Sequence, residues 1–324
     1  MEIPPGNPDS NVLPAGIADE QVDHAIRSSG YPLQSRTIAA LSDSFEFLAE
    51  EWGYIDRDEN TYRTLDVFAR QRLSRPHTQV GADNPLKVRP NLTALIECKQ
   101  ADLPYVFFRR RRPATNTALV VGLHRSKVEV SAADSRSTTV VDVPRALSLN
   151  TLPFATAPVI SSTFSRLTRK GKDLELTGTD AYSSVIRPLV KAALHYEAIS
   201  KPPSLFAFLD CTAVVLVAVV DAPMIAIDVQ REGHVASYAP WVRVLRHEPV
   251  PGAQIFDTHR MFAIDCVHWG YLRTYVDDFL LPFASAYAER VERHHNELYH
   301  GRAFVASESM AGTGELETHL TFRS

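Results

Sequence analysis

Residues 89–100 read Arg-Pro-Asn-Leu-Thr-Ala-Leu-Ile-Glu-Cys-Lys-Gln, an apolar run that predicts a buried strand. Successive side chains of a strand point to opposite faces of a sheet. One face then carries Leu92, Ala94, Ile96 and Cys98, and the other carries Thr93, Leu95, Glu97 and Lys99. Glu97 and Lys99 therefore point the same way at the end of the strand, and Cys98 is expected in the core rather than as a nucleophile.

A second strand-like run lies upstream at residues 62–69, which read Tyr-Arg-Thr-Leu-Asp-Val-Phe-Ala. It is rich in β-branched and aromatic residues, and Asp66 stands where an apolar residue is expected. If the two strands are close in the sheet, Asp66 faces Glu97. Two carboxylates beside an amine would form an oxygen site for Mg²⁺, which prefers carboxylates, retained waters and phosphate oxygens. Lys99 would then orient an attacking water or stabilise charge on a phosphate.

Three segments carry a family resemblance: residues 30–34 (Gly-Tyr-Pro-Leu-Gln), 63–67 (Arg-Thr-Leu-Asp-Val) and 96–100 (Ile-Glu-Cys-Lys-Gln). Together they resemble the PD-(D/E)xK, or restriction-endonuclease-like, nuclease superfamily, in its bacterial branch of uncharacterised proteins. The resemblance covers residues 30–108 by motif and residues 180–300 more loosely. It implies an α/β fold with a mixed sheet flanked by helices, metal-dependent hydrolysis of DNA phosphodiesters, and a role in restriction, phage defence or repair.

The resemblance also implies roles for individual residues. Asp66 and Glu97 would bind Mg²⁺ or its substitute Mn²⁺, with the backbone carbonyl of Cys98 as a further ligand. Lys99 would be the catalytic amine, and Gln100 an orienting hydrogen-bonding group. The chain departs from the family in its first helix, where members often have a glutamate and this chain has Gln34. Glu46, which periodicity places in the same predicted helix over 33–51, is a candidate substitute for that glutamate.

Positive charge is local, because the net charge of the chain is −4 and the whole surface therefore cannot attract phosphate. Arg109, Arg110, Arg111 and Arg112 follow the motif strand and are expected to grip DNA phosphates without reading sequence. Arg166, Arg169, Lys170 and Lys172 form a second group in what reads as a polar loop. The alternative for such runs is a solvated surface.

Composition indicates an ordinary globular protein with 45% hydrophobic and 22% charged residues. Cys98, Cys211 and Cys266 are far apart and lack metal-ligand spacing, which argues against disulfides and favours a reducing cytoplasm. The N-terminus does not read as a secretory signal. The most apolar run, residues 211–229, is interrupted by charges and a proline, so no membrane segment is expected.

The predicted organisation is an arm over residues 1–28, an elaborated α/β domain over 29–300 and a polar tail over 301–324. Within the domain, the core covers residues 30–108 and 180–222, and residues 109–178 form an insertion. Helix 33–51, a hairpin over 54–70, the motif strand, helix 183–199 and an apolar strand over 205–220 follow in order. Further strands are expected at 224–229, 241–245 and 261–268, and a helix over 271–299 with a break at Pro282.

Three alternatives to an active nuclease stay open. Asp66 and Lys99 could be strand-end charges that pair across a sheet edge and add little stability. The fold could serve as a nucleic-acid-binding module with a site weakened by Gln34. The chain could also be a structural partner in a defence complex or homodimer, associating through its last long helix.

Overall fold

The computed structural model describes residues 2–74, 86–110, 119–132, 138–204, 207–249, 259–305 and 316. The strands of this part of the chain are β1 Phe47–Asp56, β2 Thr61–Arg72, β3 Val88–Gln100, β4 Tyr105–Arg109, β5 Leu119–Val121, β6 Lys127–Ala132, β7 Thr138–Asp142, β8 Val159–Lys170, β9 Asp173–Thr177, β10 Leu209–Asp221, β11 Met224–Val229, β12 His234–Tyr238, β13 Trp241–Pro249, β14 His259–His268 and β15 Arg302–Val305. The α-helices are α1 Asp19–Ser28, α2 Tyr31–Leu41, α3 Val143–Ala146, α4 Pro153–Thr156, α5 Gly178–Ala181, α6 Arg187–Ile199, α7 Leu272–Thr274, α8 Leu281–Arg293 and α9 His295–His300.

One large mixed sheet organises the fold, so the expected α/β class with a mixed sheet and flanking helices is confirmed. Its strands run in the order β1-β2-β3-β10-β14-β13-β8-β4-β11-β12, with β5 and β9 attached to β10 and β8. The strands β1, β2 and β3 are antiparallel neighbours, whereas β3, β10 and β14 are parallel. The carboxyl ends of β3, β10 and β14 therefore meet at one edge of the sheet.

The motif strand β3 is buried on both faces, and its side chains divide between two cores as alternation predicts. Leu92, Ala94, Ile96 and Cys98 belong to the first core, which α2 and α8 cover. Leu95 belongs to the second core, which α6 covers, and the hydroxyls of Thr93 and Tyr196 of α6 lie 3.0 Å apart there. Glu97 and Lys99 continue the second face beyond Leu95.

The hairpin and the parallel crossover predicted from the sequence are both present. A turn over residues 57–60 joins β1 to β2, β2 pairs with β3, and α6 leads to β10, which pairs with β3 from Leu209↔Val88 to Asp221↔Gln100. The helix that ends in α6 contains a π-helical turn at Tyr182–Ile186, directly before Pro188. Proline has no N–H to donate to the preceding turn, which explains the widened helix there.

Helix α2, which corresponds to the predicted helix over 33–51, is shorter than periodicity predicts. It ends at Leu41, the chain turns over residues 42–44 (Ser-Asp-Ser), and β1 begins at Phe47. Serine and aspartate favour turns because their side chains compete for backbone hydrogen bonds. Phe45 and Leu48 match the helical spacing but lie in the loop and in β1, so the prediction of one helix over 33–51 was wrong at its second half.

The region after the motif strand is partly a separate sheet and partly main sheet. A three-stranded sheet has the order β15-β6-β7, and Arg302–Val305 thus forms a strand where a polar tail was expected. The supposed polar loop carrying Arg166, Arg169 and Lys170 is instead the hairpin of β8 and β9. The last long helix has a π-helical turn at Tyr275–Leu280 before Pro282 and ends at Arg293, where α9 follows.

Asp265 has the buried structural role expected of an acid in an apolar strand. Arg243 Nε and Nη2 donate to its two carboxylate oxygens at 2.6 and 2.8 Å, and Tyr275 Oη donates to it at 2.9 Å. Such a fully bonded pair satisfies its own polar groups.

Candidate metal and phosphate site

Asp66 lies where β2 stops pairing with β3. The last residue pair of the two strands is Val67↔Ile96. Beyond it, the Asp66 carboxylate takes the place of a backbone carbonyl and accepts the backbone N–H of Cys98 at 2.7 Å. This charge-assisted hydrogen bond fixes one oxygen of Asp66 against the motif strand. The sequence therefore places an acid at the point where the backbone leaves room for a side chain between the two strands.

The neighbouring strand β1 is distorted at the same level. Glu50 pairs with Val67 and Trp52 with Leu65, whereas Glu51 between them has a φ of 47°. A non-glycine residue in this left-handed region is strained by roughly 1–2 kcal/mol. Leu65 packs in the second core and Val67 in the first, although residues two apart in a regular strand face the same side of the sheet. The backbone of β2 therefore twists at Asp66. The strain of Glu51 accompanies the turn of β2 that aims Asp66 toward β3.

Glu97 is a buried carboxylate with one oxygen in an ion pair. Its Oε1 accepts from Lys99 Nζ at 2.6 Å, and the side chain is 9% exposed. The pKa of Glu97 is raised to about 7, chiefly because burial disfavours the charged carboxylate; the negative charge of Asp66 adds to the rise, whereas Lys99 and the backbone N–H of Asp66 oppose it. Asp66 accepts the backbone N–H of Cys98, the residue next to Glu97, so the two acids are neighbours at the end of β3.

Lys99 stays charged although it is largely buried. Burial tends to lower the pKa of its ammonium group, but the charge of Glu97, the hydrogen bond to it and the charge of Asp66 outweigh burial, so the pKa is raised above its ordinary value. The structure thus brings Asp66, Glu97 and Lys99 together at the end of β3, two anions with one cation.

The donor set of this site fits a hard divalent cation. No group among the described residues forms a regular hydrogen bond with the buried Oε2 of Glu97, and the nearby backbone N–H of Asp66 favours the charged carboxylate only weakly. Burial of such an oxygen is costly unless a further group satisfies it. The N–H and C=O of one strand residue point the same way, so the carbonyl of Cys98 faces the side on which its N–H meets Asp66. These oxygens could hold Mg²⁺ together with waters and phosphate oxygens.

The site has few protein ligands. Among the described residues no group of three or more His, Cys, Asp or Glu side chains is placed to hold a metal ion. A dedicated protein cage is therefore absent from that part of the chain. Mg²⁺ is usually bound through one or two carboxylates and keeps several waters, so a pair of acids beside a backbone carbonyl is a sufficient protein contribution.

Gln34 approaches the site from α2, whereas Glu46 does not. Gln34 is buried, and its Nε2 donates to the backbone carbonyl of Asp66 at 3.0 Å. Glu46 lies exposed in the loop before β1, and its backbone N–H binds Gln71. The prediction that Glu46 replaces a helix acid was therefore wrong, because the helix ends before it. The position next to Asp66 is filled by a neutral amide.

Gln100 does not join the other motif residues. Its side chain is exposed, and its Nε2 donates to the carbonyl of Arg27 at the end of α1, 3.3 Å away. Alternation along β3 places it on the face opposite Lys99. Cys98 is 5% exposed in the first core, and burial raises the pKa of its thiol to about 12, consistent with the core role expected for its side chain.

Arg109 and Arg110, the two described arginines of the run, lie away from the acids. Arg109 and Arg110 are exposed at the end of β4, and Arg111 and Arg112 lie outside the described residues. Tyr105 at the other end of β4 is close enough to Lys99 for the ammonium group to influence the pKa of its hydroxyl. Four residues of strand span about 13 Å, so Arg109 is separated from the Lys99 end of β4 by that length.

Arg166, which was expected in a polar loop, lies in strand β8. It pairs with Tyr105 in the β4–β8 register, and its Nε is buried without a hydrogen-bond partner among the described residues. Burial raises the pKa of the Tyr105 hydroxyl, while the positive charges of Arg166 and Lys99 oppose the rise. Tyr105 thus lies within electrostatic reach of both Arg166 and Lys99. The β-branched and aromatic residues among 159–170 were the sequence signal that Arg166 belongs to a strand.

Comparison of the chain with protein-family models, with curated proteins and with solved structures finds no match in any of the three. Within the described part of the chain, every helix is too short or too polar to cross a lipid bilayer.

Proposed function

We propose that this chain is a metal-dependent nuclease that hydrolyses DNA phosphodiesters, with Asp66, Glu97 and the Cys98 carbonyl holding Mg²⁺ or Mn²⁺ and Lys99 as the catalytic amine. The observation that carries the proposal is the buried Oε2 of Glu97, which forms no regular hydrogen bond within the described residues, beside a second carboxylate. An acid is retained in such a place at a cost in stability, which a bound cation would offset.

The residues divide the chemistry between them. Mg²⁺ bound here would polarise a phosphate oxygen and lower the pKa of a bound water. Lys99 keeps its proton and can donate hydrogen bonds to an attacking water or to the oxygens of the phosphate. Glu97 holds Lys99 in place through its Oε1, and Cys98 N–H holds Asp66. Arg166 supplies a second positive charge beyond Tyr105.

The order of elements supports the same proposal. A helix, a hairpin, the motif strand, a second helix and a strand parallel to the motif strand are what the resemblance to PD-(D/E)xK nucleases implies. The chain has α2, β1, β2, β3, α6 and β10 in this order, with β10 parallel to β3. We therefore include a restriction-endonuclease-like core in the proposal, and this part rests on an analogy of fold.

The test is nicking and linearisation of supercoiled plasmid DNA with Mg²⁺ or Mn²⁺. We compare wild type with Asp66→Asn and Lys99→Gln. The matched controls are Asp210→Asn, an acid at the far end of β10 paired with Arg89, and Lys170→Gln, an exposed lysine paired with Glu175. Thermal unfolding of each variant verifies that it folds.

We expect cleavage by wild type and both controls, and a loss of at least about a hundredfold in the two site variants, since each removes a group that acts on the reacting phosphate. Cleavage that survives Asp66→Asn and Lys99→Gln would assign any activity to another site or a contaminant. Addition of EDTA should abolish cleavage by every active form.

A second candidate function is nucleic-acid binding without efficient cleavage. It is favoured by Gln34, whose amide donates to the Asp66 carbonyl where a further metal-binding acid would otherwise stand. A protein that binds DNA with Mg²⁺ present but leaves plasmid intact over a long incubation would support this candidate, and Gln34→Glu would then be the variant in which to look for restored cleavage.

A further inference from the structure

A surface cleft of about 530 Å³ lies at the carboxyl ends of the parallel strands β3, β10 and β14. It is lined by Ala101, Ala222, Pro223 and Met224, by Tyr238, Ala239 and Pro240, and by Asp221 and His268. Ligands of α/β sheets commonly bind outside the carboxyl ends of the strands. The volume lies in the range of small-molecule sites.

Part of the cleft lining belongs to the core on the face of the sheet to which Glu97 and Lys99 point. Ala222, Met224 and Ala239 belong to the second core, and Ala101 packs against it two residues after Lys99. Two residues of strand span about 6.6 Å, which is the scale of the separation between a nucleotide's phosphate and its base. Tyr105 N–H donates to the carbonyl of Pro223 at 2.9 Å, which ties the cleft to the strand end beside Lys99.

Tyr238 gives the cleft an aromatic wall. It pairs with Ile225 in the β11–β12 register and is 82% exposed, so its ring presents a free apolar surface. Stacking on such a ring is a recurring way of holding a base of a single strand, because every base has a π-face. The small apolar residues on the remaining walls leave room for a flat ring.

Polar groups border the cleft on its other side. His268 Nδ1 accepts the backbone N–H of Gly270 at 3.1 Å, which leaves the ring hydrogen on Nε2 available as a donor. The charge of Asp221 is paired by Arg36, whose Nη2 donates to Oδ2 at 2.9 Å, so the acid repels a nearby phosphate less than a lone carboxylate would. A hydrogen-bond donor and an acceptor at the rim suit the edge of a nucleobase.

We propose that this cleft is a nucleobase subsite that receives one unstacked base next to the phosphate that Lys99 would contact. The inference rests on the proposed function and deepens it by naming the substrate: a single strand, or a duplex distorted enough to release a base. A base inside an undisturbed duplex cannot reach the cleft, so regular double-stranded DNA should bind more weakly.

The test measures binding in EDTA, which separates it from cleavage. Fluorescein-labelled probes are a thymidine decamer, a decamer of abasic deoxyribose phosphates and a stable hairpin duplex. We expect wild type to bind the thymidine decamer about tenfold more tightly than the abasic one, the scale of one stacked base, and more tightly than the hairpin. Tyr238→Ala should reduce the preference to about twofold or less, whereas Tyr238→Phe keeps the ring and the preference.

Equal affinity of wild type for the thymidine and abasic decamers would overturn the subsite, as would an undiminished preference in Tyr238→Ala. The exposure of Tyr238 makes misfolding of these variants a minor concern, and thermal unfolding checks it. Loss of the proposed function has a different signature: plasmid cleavage that is absent in wild type, or indifferent to Asp66→Asn, with the Tyr238-dependent preference intact. In that case the subsite stands as part of a binding protein.

Discussion

Glu97 should make the folded protein less stable as pH rises, and Glu97→Gln should remove this dependence. The pKa of Glu97 is raised from 4.5 to about 7 by burial. The folded protein therefore holds this proton more tightly than the unfolded chain does, and the free energy of unfolding falls between about pH 4.5 and pH 7 as the proton is lost. A shift of this size corresponds to about 3 kcal/mol.

The assay is urea unfolding in EDTA at about pH 5 and about pH 8, for wild type and Glu97→Gln. Other titrating groups contribute equally to both proteins, so the quantity of interest is the difference between their pH dependences. We expect wild type to lose about 2–3 kcal/mol more than Glu97→Gln between the two pH values. Equal pH dependence in the two proteins would refute the assignment of a desolvated, proton-retaining carboxylate to Glu97.

Magnesium provides the companion measurement. A cation that binds the ionised carboxylate stabilises the folded state by mass action, by about 2.7 kcal/mol at a hundred times its dissociation constant. Added Mg²⁺ should therefore stabilise wild type more at about pH 8 than at about pH 5, where the proton competes. The same addition should leave Glu97→Gln nearly unchanged; a comparable gain in that variant would mean that the ion binds elsewhere.

Three further predictions follow from single residues. Glu51→Gly should raise the free energy of unfolding by about 1 kcal/mol, because glycine adopts the φ of 47° without strain; a loss of stability in urea unfolding would contradict this. Arg166→Ala should reduce the slope of log DNA affinity against log salt concentration by about one, because one contact with phosphate is lost. Arg110→Ala should leave this slope unchanged, because Arg110 lies at the other end of β4. Gln34→Glu should lower metal-free stability by about 1–3 kcal/mol by losing the donor to the Asp66 carbonyl, and should gain more from Mg²⁺ than wild type; equal gains would show that position 34 lies outside the metal's reach.

The parts of the fold that follow from local pattern could be predicted. Alternation along residues 89–100 gave both faces of β3, and the apolar run of β10 is parallel to it as the crossover rule requires. Asp66 was identifiable because an acid interrupts an otherwise apolar strand. Periodicity failed where two patterns coincide: Phe45 and Leu48 suit a helix, but the intervening serines and aspartate turn the chain and leave Glu46 in a loop.

The parts that depend on distant contacts could not be predicted. The left-handed conformation of Glu51 accompanies the turn of β2 at Asp66, and nothing in the local sequence demands it. Arg166 reaches Tyr105 through the pairing of β4 with β8, whereas its sequence neighbours suggested a loop. The burial of Glu97 arises from the packing of the whole sheet, since a single sequence reveals the acid but not its desolvation.

The most direct test of the proposed metal site is anomalous diffraction from crystals soaked in Mn²⁺. We expect one strong anomalous peak bonded to carboxylate oxygens of Asp66 and Glu97 and to the Cys98 carbonyl, at the roughly 2.0–2.3 Å typical of such oxygen ligands. The peak should vanish in Glu97→Gln and persist in Asp210→Asn. A structure of the soaked wild type with no peak between Asp66 and Glu97, or with a peak that survives Glu97→Gln, would contradict the proposed metal site.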